Sequence, residues 1–221
     1  MAHRTEEKEQ RRRERLEREE AERRSASRKK VLQIGAGAGL VLVALAAIAL
    51  VALGSSGSSD KADASKVAAD AKAAGCTFRQ FKSEGRDHTT KKLTAKDYKT
   101  NPPTSGHHNP VPAQDGVYAP GNEPAIENWV HTLEHGRVEY QYKPGTSAAD
   151  IRKLQQLAEQ PLNGSAGYHT LVFENNSGMT PKFALVAWTR SLTCDQLTPQ
   201  SEQAMKDFRQ AFTDQAPEKI P

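Results

Sequence analysis

The sequence predicts an α+β domain: a small, mostly antiparallel sheet with helices packed on one side, preceded by one transmembrane helix. Three observations carry this. "VLQIGAGAGLVLVALAAIALVAL", residues 31–53, contains no charged side chain. Downstream, "RVEYQYKP", "YHTLVFEN" and "KFALVAWTR" alternate or run apolar over strand-like lengths. Interleaved with them, "SAADIRKLQQLAEQ" and "TPQSEQAMKDFRQAFTDQ" carry apolar residues at helical spacing.

The first 30 residues hold twelve Lys/Arg and eight Asp/Glu, which is the whole +4 formal charge of the chain. The remainder is balanced, so overall basicity does not point to nucleic acid. This tail mixes signs at helical spacing with too few apolar residues for a coiled-coil seam; a solvated helix is expected, with a basic end that can touch anionic lipid heads. At a rise of about 1.5 Å per residue the apolar run spans about 34 Å, enough for a bilayer core of about 30 Å. Arg28, Lys29 and Lys30 abut its start, whereas Asp60 and Lys61 follow only after a Gly/Ser spacer. The positive-inside rule then puts residues 1–30 in the cytoplasm and the chain after residue 54 outside. The expectation is a single-pass cell-membrane protein whose lipid contact is residues 31–53. A cleaved signal peptide is the alternative, with "ALGSSGSSD" offering small residues to a peptidase, although the apolar run is longer than a typical signal core.

Residues 54–75 read as a Gly/Ser tether followed by a short helix, "ASKVAADAKAAGC", closing at Gly75. The extracytoplasmic domain is expected over 76–216. Its two cysteines, Cys76 and Cys194, are the only ones in the chain. Both fall in the predicted oxidising compartment, so a disulfide is expected. Closing a loop on the order of 100 residues contributes about 4–5 kcal/mol in the chain-entropy model.

Residues 100–124, "TNPPTSGHHNPVPAQDGVYAPGNEP", are dense in Pro, Gly and Asn. This is too long for a plain connector, and long ordered loops often carry function. A helix is expected to follow, capped by Asn122, with Pro124 in its first turn. Ile126, Val130 and Leu133 recur at helical spacing, and Gly136 stands where a glycine would end the helix.

That helix sets His131 and His135 four residues apart on one face, within reach of one metal ion. His107 and His108 lie in the rigid loop, and Met179 in the turn "NSGMTP". Three imidazoles with a thioether favour copper; three imidazoles with water suit zinc or copper. Glu134 would orient an imidazole from behind. The string His131-x-x-Glu134-His135 also matches the H-x-x-E-H pattern of a group of zinc hydrolases, but Gly136 ends the helix before a further ligand can follow. A third reading needs no metal. Histidines at a helix C-terminus favour the dipole, Glu134 pairs with Arg137, and the Pro-rich loop with Trp129 forms a surface for a cell-envelope protein partner. His88 and His169 look ordinary.

Taken together, "NPPTSGHH", "DGVY", "VHTLEHGRVEYQY" and "ALVAWTR…C" resemble a bacterial family of membrane-anchored proteins, the domain of unknown function family numbered 3105. The resemblance covers roughly Cys76 to Leu197. The family's Pro-Pro-x-Ser-Gly-x-His loop falls on Pro102, Pro103, Ser105, Gly106 and His108. Its Val-His-x-Leu-Glu-His-Gly falls on Val130, His131, Leu133, Glu134, His135 and Gly136. The family's Ala-Trp-Gly becomes Ala-Trp-Thr here, with Thr189 in the glycine's place. The resemblance implies an anchored extracytoplasmic domain in which a loop histidine and a His-x-x-x-His pair recur together. The expected ligand set is His108, His131 and His135, with Met179 fourth, for copper first and zinc second. No catalytic residue or small-molecule substrate is expected.

Overall fold

The computed structural model describes residues 63–218 and residue 220. The expected charged tail and transmembrane run lie outside the described residues. Among the described residues no helix is long and apolar enough to cross a membrane.

The chain opens with helix α1, residues 63–73, then strand β1, Thr77–Gln80. A single 3-10 turn, Ala95–Asp97, and a two-residue strand, β2 (Gly116–Val117), lie in the long loop region. Helix α2, Ile126–Glu134, leads into β3, Val138–Tyr142. Helix α3 (Ala148–Ala158), β4 (Thr170–Glu174), β5 (Phe183–Ala187), β6 (Arg190–Cys194) and α4 (Pro199–Phe212) complete the domain. Local chemistry explains several boundaries. The Ser147 and Thr198 hydroxyls accept from the Asp150 and Ser201 amides, capping α3 and α4. Helix α2 starts at Ile126, not at Asn122; the Asn122 amide is spent in a turn on the Ala119 carbonyl.

The sheet order is β1-β6-β5-β3-β4-β2. The α+β class holds, and three of the five strand pairings are antiparallel, with two refinements. The sheet is mixed, because β4 runs parallel to both β3 and β2. Helix α3 carries the chain back across the sheet between β3 and β4, and such a crossover makes the two strands parallel. Helices also cover both faces rather than one. On one face Tyr140, Tyr142, Leu185 and Leu192 pack with Val67 and Ala71 of α1, Leu154 and Leu157 of α3, and Phe208 and Phe212 of α4. On the other, Leu171, Phe173, Ala184 and Val186 pack with Ile126, Trp129, Val130 and Leu133 of α2. The expected disulfide, Cys76–Cys194, joins the start of this unit to the end of β6.

Coverage on both faces changes the meaning of the alternation in "VEYQY". All five residues of β3 are buried, Glu139 and Gln141 included. The Gln141 amide donates to the Glu139 carboxyl at 2.7 Å, and Asn175 donates to Gln141 at 2.6 Å. The Thr132 hydroxyl of α2 lies 2.6 Å from the Trp129 carbonyl and 3.0 Å from the Glu139 carboxyl. One hydroxyl hydrogen cannot serve both oxygens. A proton on Glu139 resolves this, and burial pushes that carboxyl well above its ordinary 4.5.

Helix α2 ends in a Schellman turn. The Gly136 amide donates to Leu133 and the Arg137 amide to Thr132. Gly136 has φ +80, and a Cβ there would sit 2.7 Å from the Asp214 Cα. Glycine therefore serves both the helix stop and the passage of the C-terminal segment. That segment is fastened by the Asp214 amide on the Gly136 carbonyl, the Glu218 amide on the Glu134 carbonyl, and the Arg137 guanidinium on the Ile220 carbonyl.

The run "KFALVAWTR" is not one strand. It folds back at Trp188–Thr189, so β5 and β6 form a hairpin. Thr189 has φ +60, where glycine is favoured, which accounts for the glycine in the resembled pattern.

Two outcomes follow from these contacts. Thr189→Gly is expected to raise stability by about 0.5–1 kcal/mol in denaturant unfolding, since a left-handed β-branched residue costs about 1–2 and glycine returns part of that in chain entropy. Glu139 holds a proton in the folded chain that the unfolded chain releases near pH 4.5, so its contribution to stability falls as pH rises above that value. Glu139→Gln is expected to flatten this decline in melts run from pH 4 to 8; an unchanged slope would show that Glu139 is ionised in the fold.

Candidate metal centre

The Pro-rich loop is laid along α2 by one backbone and one side-chain contact. The Asn109 amide donates to the Glu127 carbonyl at 2.9 Å, and the Asn128 side-chain amide donates to the Val111 carbonyl at 2.7 Å. Upstream, residues 87–89 pair with the loop through a parallel bridge between His88 and His108. Gly106, at φ +124, lets the loop pass under Tyr98, whose ring would lie 2.9 Å from any added Cβ. The Tyr98 hydroxyl then holds the His107 carbonyl at 2.8 Å.

This docking brings four side chains together: His88, His108, His131 and Glu134. One ligand atom from each lies within 4.8 Å of the others. The ring centres of His108 and His131 are 4.6 Å apart, and His88 stands 5.0 Å and 4.9 Å from them. His108 is 0% and Glu134 1% exposed, whereas His88 is open to solvent.

The hydrogen bonds decide which atoms face inward. His108 Nδ1 lies 2.8 Å from the Gly106 carbonyl, and His131 Nδ1 lies 2.6 Å from the Asn109 carbonyl. A carbonyl only accepts, so both Nδ1 atoms carry the proton. Both Nε2 atoms are left as lone-pair donors. Burial pushes the pKa of His108, and that of His131, below the usual histidine value, which keeps the rings neutral near pH 7. A metal-ligating histidine is held in the same way, with its other ring N–H spent on a carbonyl.

His108 Nε2 then meets Glu134 Oε2 at 2.9 Å. The approach is short but out of line for a hydrogen bond, and His108 Nε2 and Glu134 Oε1 are both buried without a hydrogen-bond partner. Two sets of lone pairs face each other out of water. Arg86 approaches Glu134 Oε1 only at 3.5 Å from the exposed side. Burial first, and Glu218 second, push the Glu134 carboxyl up, with Arg86 and His88 acting against them. A cation between these atoms would satisfy both.

His135 stands next door. Its ring centre is 4.4 Å from that of His131, but its Nε2 faces Glu218 at 3.3 Å. His131, His135 and Glu218 form a second converging group that shares His131 with the first. Since Nδ1 of His131 is committed, its single free nitrogen serves one group at a time. His107 is on the solvent side, 3.8 Å from Asp87. Met179 lies in the apolar cluster beneath α2, 2% exposed, with its amide held by Asn175. His88 is the functional candidate that the sequence left unmarked: in "EGRDHTT" nothing about its spacing points to the loop it meets. Glu134, expected behind a ligand, is itself among the converging atoms.

No curated protein matches the chain, and no solved structure matches it. A family model described as Protein of unknown function (DUF3105) matches residues 88–220. The match takes in His88, the Pro-rich loop, α2 and the C-terminal segment, so the whole converging cluster lies inside the shared region; the chain belongs to this family.

Proposed function

We propose that the domain binds one divalent transition-metal ion through His108, His131, Glu134 and His88, on the outer side of a membrane that residues 31–53 span. The observation that carries this is the buried His108 Nε2, which has no hydrogen-bond partner and stands 2.9 Å from Oε2 of the Glu134 carboxyl, a side chain only 1% exposed. The donor set is three imidazoles and a carboxylate, with Met179 packed among apolar residues. A set without a soft sulfur puts zinc before copper, the reverse of the order that a thioether ligand would give. For a tetrahedral zinc the ligand atoms, now within 4.8 Å of one another, need spacings of roughly 3.4 Å, so the outer ones draw in while the His108–Glu134 pair, at 2.9 Å, opens slightly.

His135 and Glu218 support the centre from outside it. The exposed His88 leaves one side reachable, which suits an ion acquired and handed on more than one sealed in. The H-x-x-E-H hydrolase reading needs His131 and His135 on one ion and Glu134 beside a water. Here Glu134 is 1% exposed and faces His108 instead. The disulfide supports the outer location, since such bonds persist in oxidising compartments. An envelope protein that receives or supplies the ion is the partner this reading implies.

Zinc titration of the full-length, untagged chain in detergent is expected to give one equivalent bound and a raised melting temperature. His108→Ala and His131→Ala should each weaken binding by more than about 100-fold, His135→Ala by about 10-fold, and Met179→Leu should leave it unchanged. No binding by the parent chain would end the metal reading. An equal loss in His135→Ala and His131→Ala would move the ion to the group containing Glu218.

A further inference from the structure

The α2 face of the sheet is covered only in part. The apolar cluster beneath α2 takes in residues of β4 and β5 and none of β6 or β1. Past β5 the strands change character. Phe78 and Leu192 turn to the opposite, helix-covered face. Their neighbours on the α2 side are Thr77 paired with Thr193 and Arg79 paired with Ser191. This strip is therefore polar, and it is walled by the segments around Lys99–Asn101 and Thr180–Pro181. The result is an open trough with a cavity of about 430 Å³.

Three features separate it from an ordinary wet sheet face. Its lining contains two cations, Arg79 and Lys99, and no carboxylate. Among the described residues neither the Arg79 guanidinium nor the Lys99 ammonium has a hydrogen-bond or ion-pair partner, although opposite charges pair elsewhere on this surface. Ser191 is 5% exposed, and among the described residues its hydroxyl has no partner either. The walls are held in place independently: the Lys99 amide donates to Glu84 at 2.8 Å, and Asn101 is bonded to Ser177. The cations thus project from a fixed frame.

We propose that this trough binds an anionic carbohydrate, a polyhydroxylated chain bearing carboxylate or phosphate groups. Arg79 and Lys99 take the oxyanion, the former able to do so through two parallel N–H donors. Thr77, Thr193 and Ser191 exchange hydrogen bonds with ligand hydroxyls, and Phe81 offers a ring for an apolar sugar face. The lining holds no Leu, Ile, Val or Met, so it offers no anchor pocket of the kind a peptide side chain fills. The assignment does not depend on the metal centre.

Hydrogen exchange of the full-length chain in detergent tests it, read at Thr77–Gln80 and Arg190–Cys194. Polygalacturonate and poly(glycerol phosphate) are the two anionic probes, and they separate a carboxylate from a phosphate source. Dextran is the neutral control, and inorganic phosphate the bare anion. Exchange at these strands is expected to slow at least about threefold with one of the two polymers, and to be unaffected by dextran. Arg79→Gln combined with Lys99→Gln should abolish the effect without lowering the melting temperature. No protection by either polymer, or protection that persists in the double variant, overturns the proposal. Protection confined to residues 1–30 would assign the binding to the basic tail and overturn it as well. Equal protection by inorganic phosphate would remove the carbohydrate and leave only an anion site.

Discussion

Two backbone carbonyls, those of Gly106 and Asn109, set the orientation of the two histidines at the heart of the candidate centre. Each takes the Nδ1 proton of a histidine, His108 and His131 respectively, and so turns the other ring nitrogen inward as a bare lone pair. Without those contacts either ring could flip or change tautomer, and the pocket would be two ordinary histidines. With them, a neutral nitrogen and a carboxyl oxygen lie 2.9 Å apart on buried side chains, a costly arrangement that the proposed metal ion would relieve. A proton is the small answer and a metal ion the larger one. Three nearby imidazole rings favour the larger.

The fold braces the segment that carries those carbonyls. The Pro-rich loop cannot drift, because its amides and carbonyls are bonded to α2 at Glu127 and Asn128. Helix α2 cannot slide, because Trp129, Val130 and Leu133 are wholly buried against the sheet and its last turn is closed at Gly136. The C-terminal segment then crosses that closed turn at a distance only glycine permits, and brings Glu218 to His135. One helix end therefore gathers the Pro-rich loop, the His88 segment and the segment around Glu218 near the same histidines. The buried Thr132–Glu139–Gln141–Asn175 chain fastens the other side of α2 to the sheet.

Much of this was legible in the residues. The glycine stop, the strand after it, the cysteine pair and three of the clustered side chains are all local signals or follow from topology. What escaped was non-local. His88 joins the centre only because its segment pairs with the loop twenty residues on, and no spacing rule marks such a bridge. Met179 in a Gly/Pro-flanked turn reads as a displayed ligand, yet the turn folds inward and the side chain fills core. The alternation in "VEYQY" reads as one wet face, but α2 covers that face and the polar residues pair under it instead. The β5–β6 hairpin was hidden because Trp188–Thr189 is not a favoured turn pair; threonine at positive φ stands where glycine would have announced it. The parallel pairing of β4 depends on where α3 returns the chain, which periodicity does not report.

In the proposed centre, nitrogen and oxygen ligands from this cluster, and no sulfur, hold the ion. X-ray absorption at the zinc edge of the zinc-loaded full-length chain tests it most directly. Four-coordinate zinc is expected, with nitrogen and oxygen scatterers at about 2.0–2.1 Å, outer-shell scattering from at least two imidazoles, and nothing at the zinc–sulfur distance of about 2.3 Å. A sulfur scatterer, or zinc surrounded by water with no imidazole signature, would contradict it.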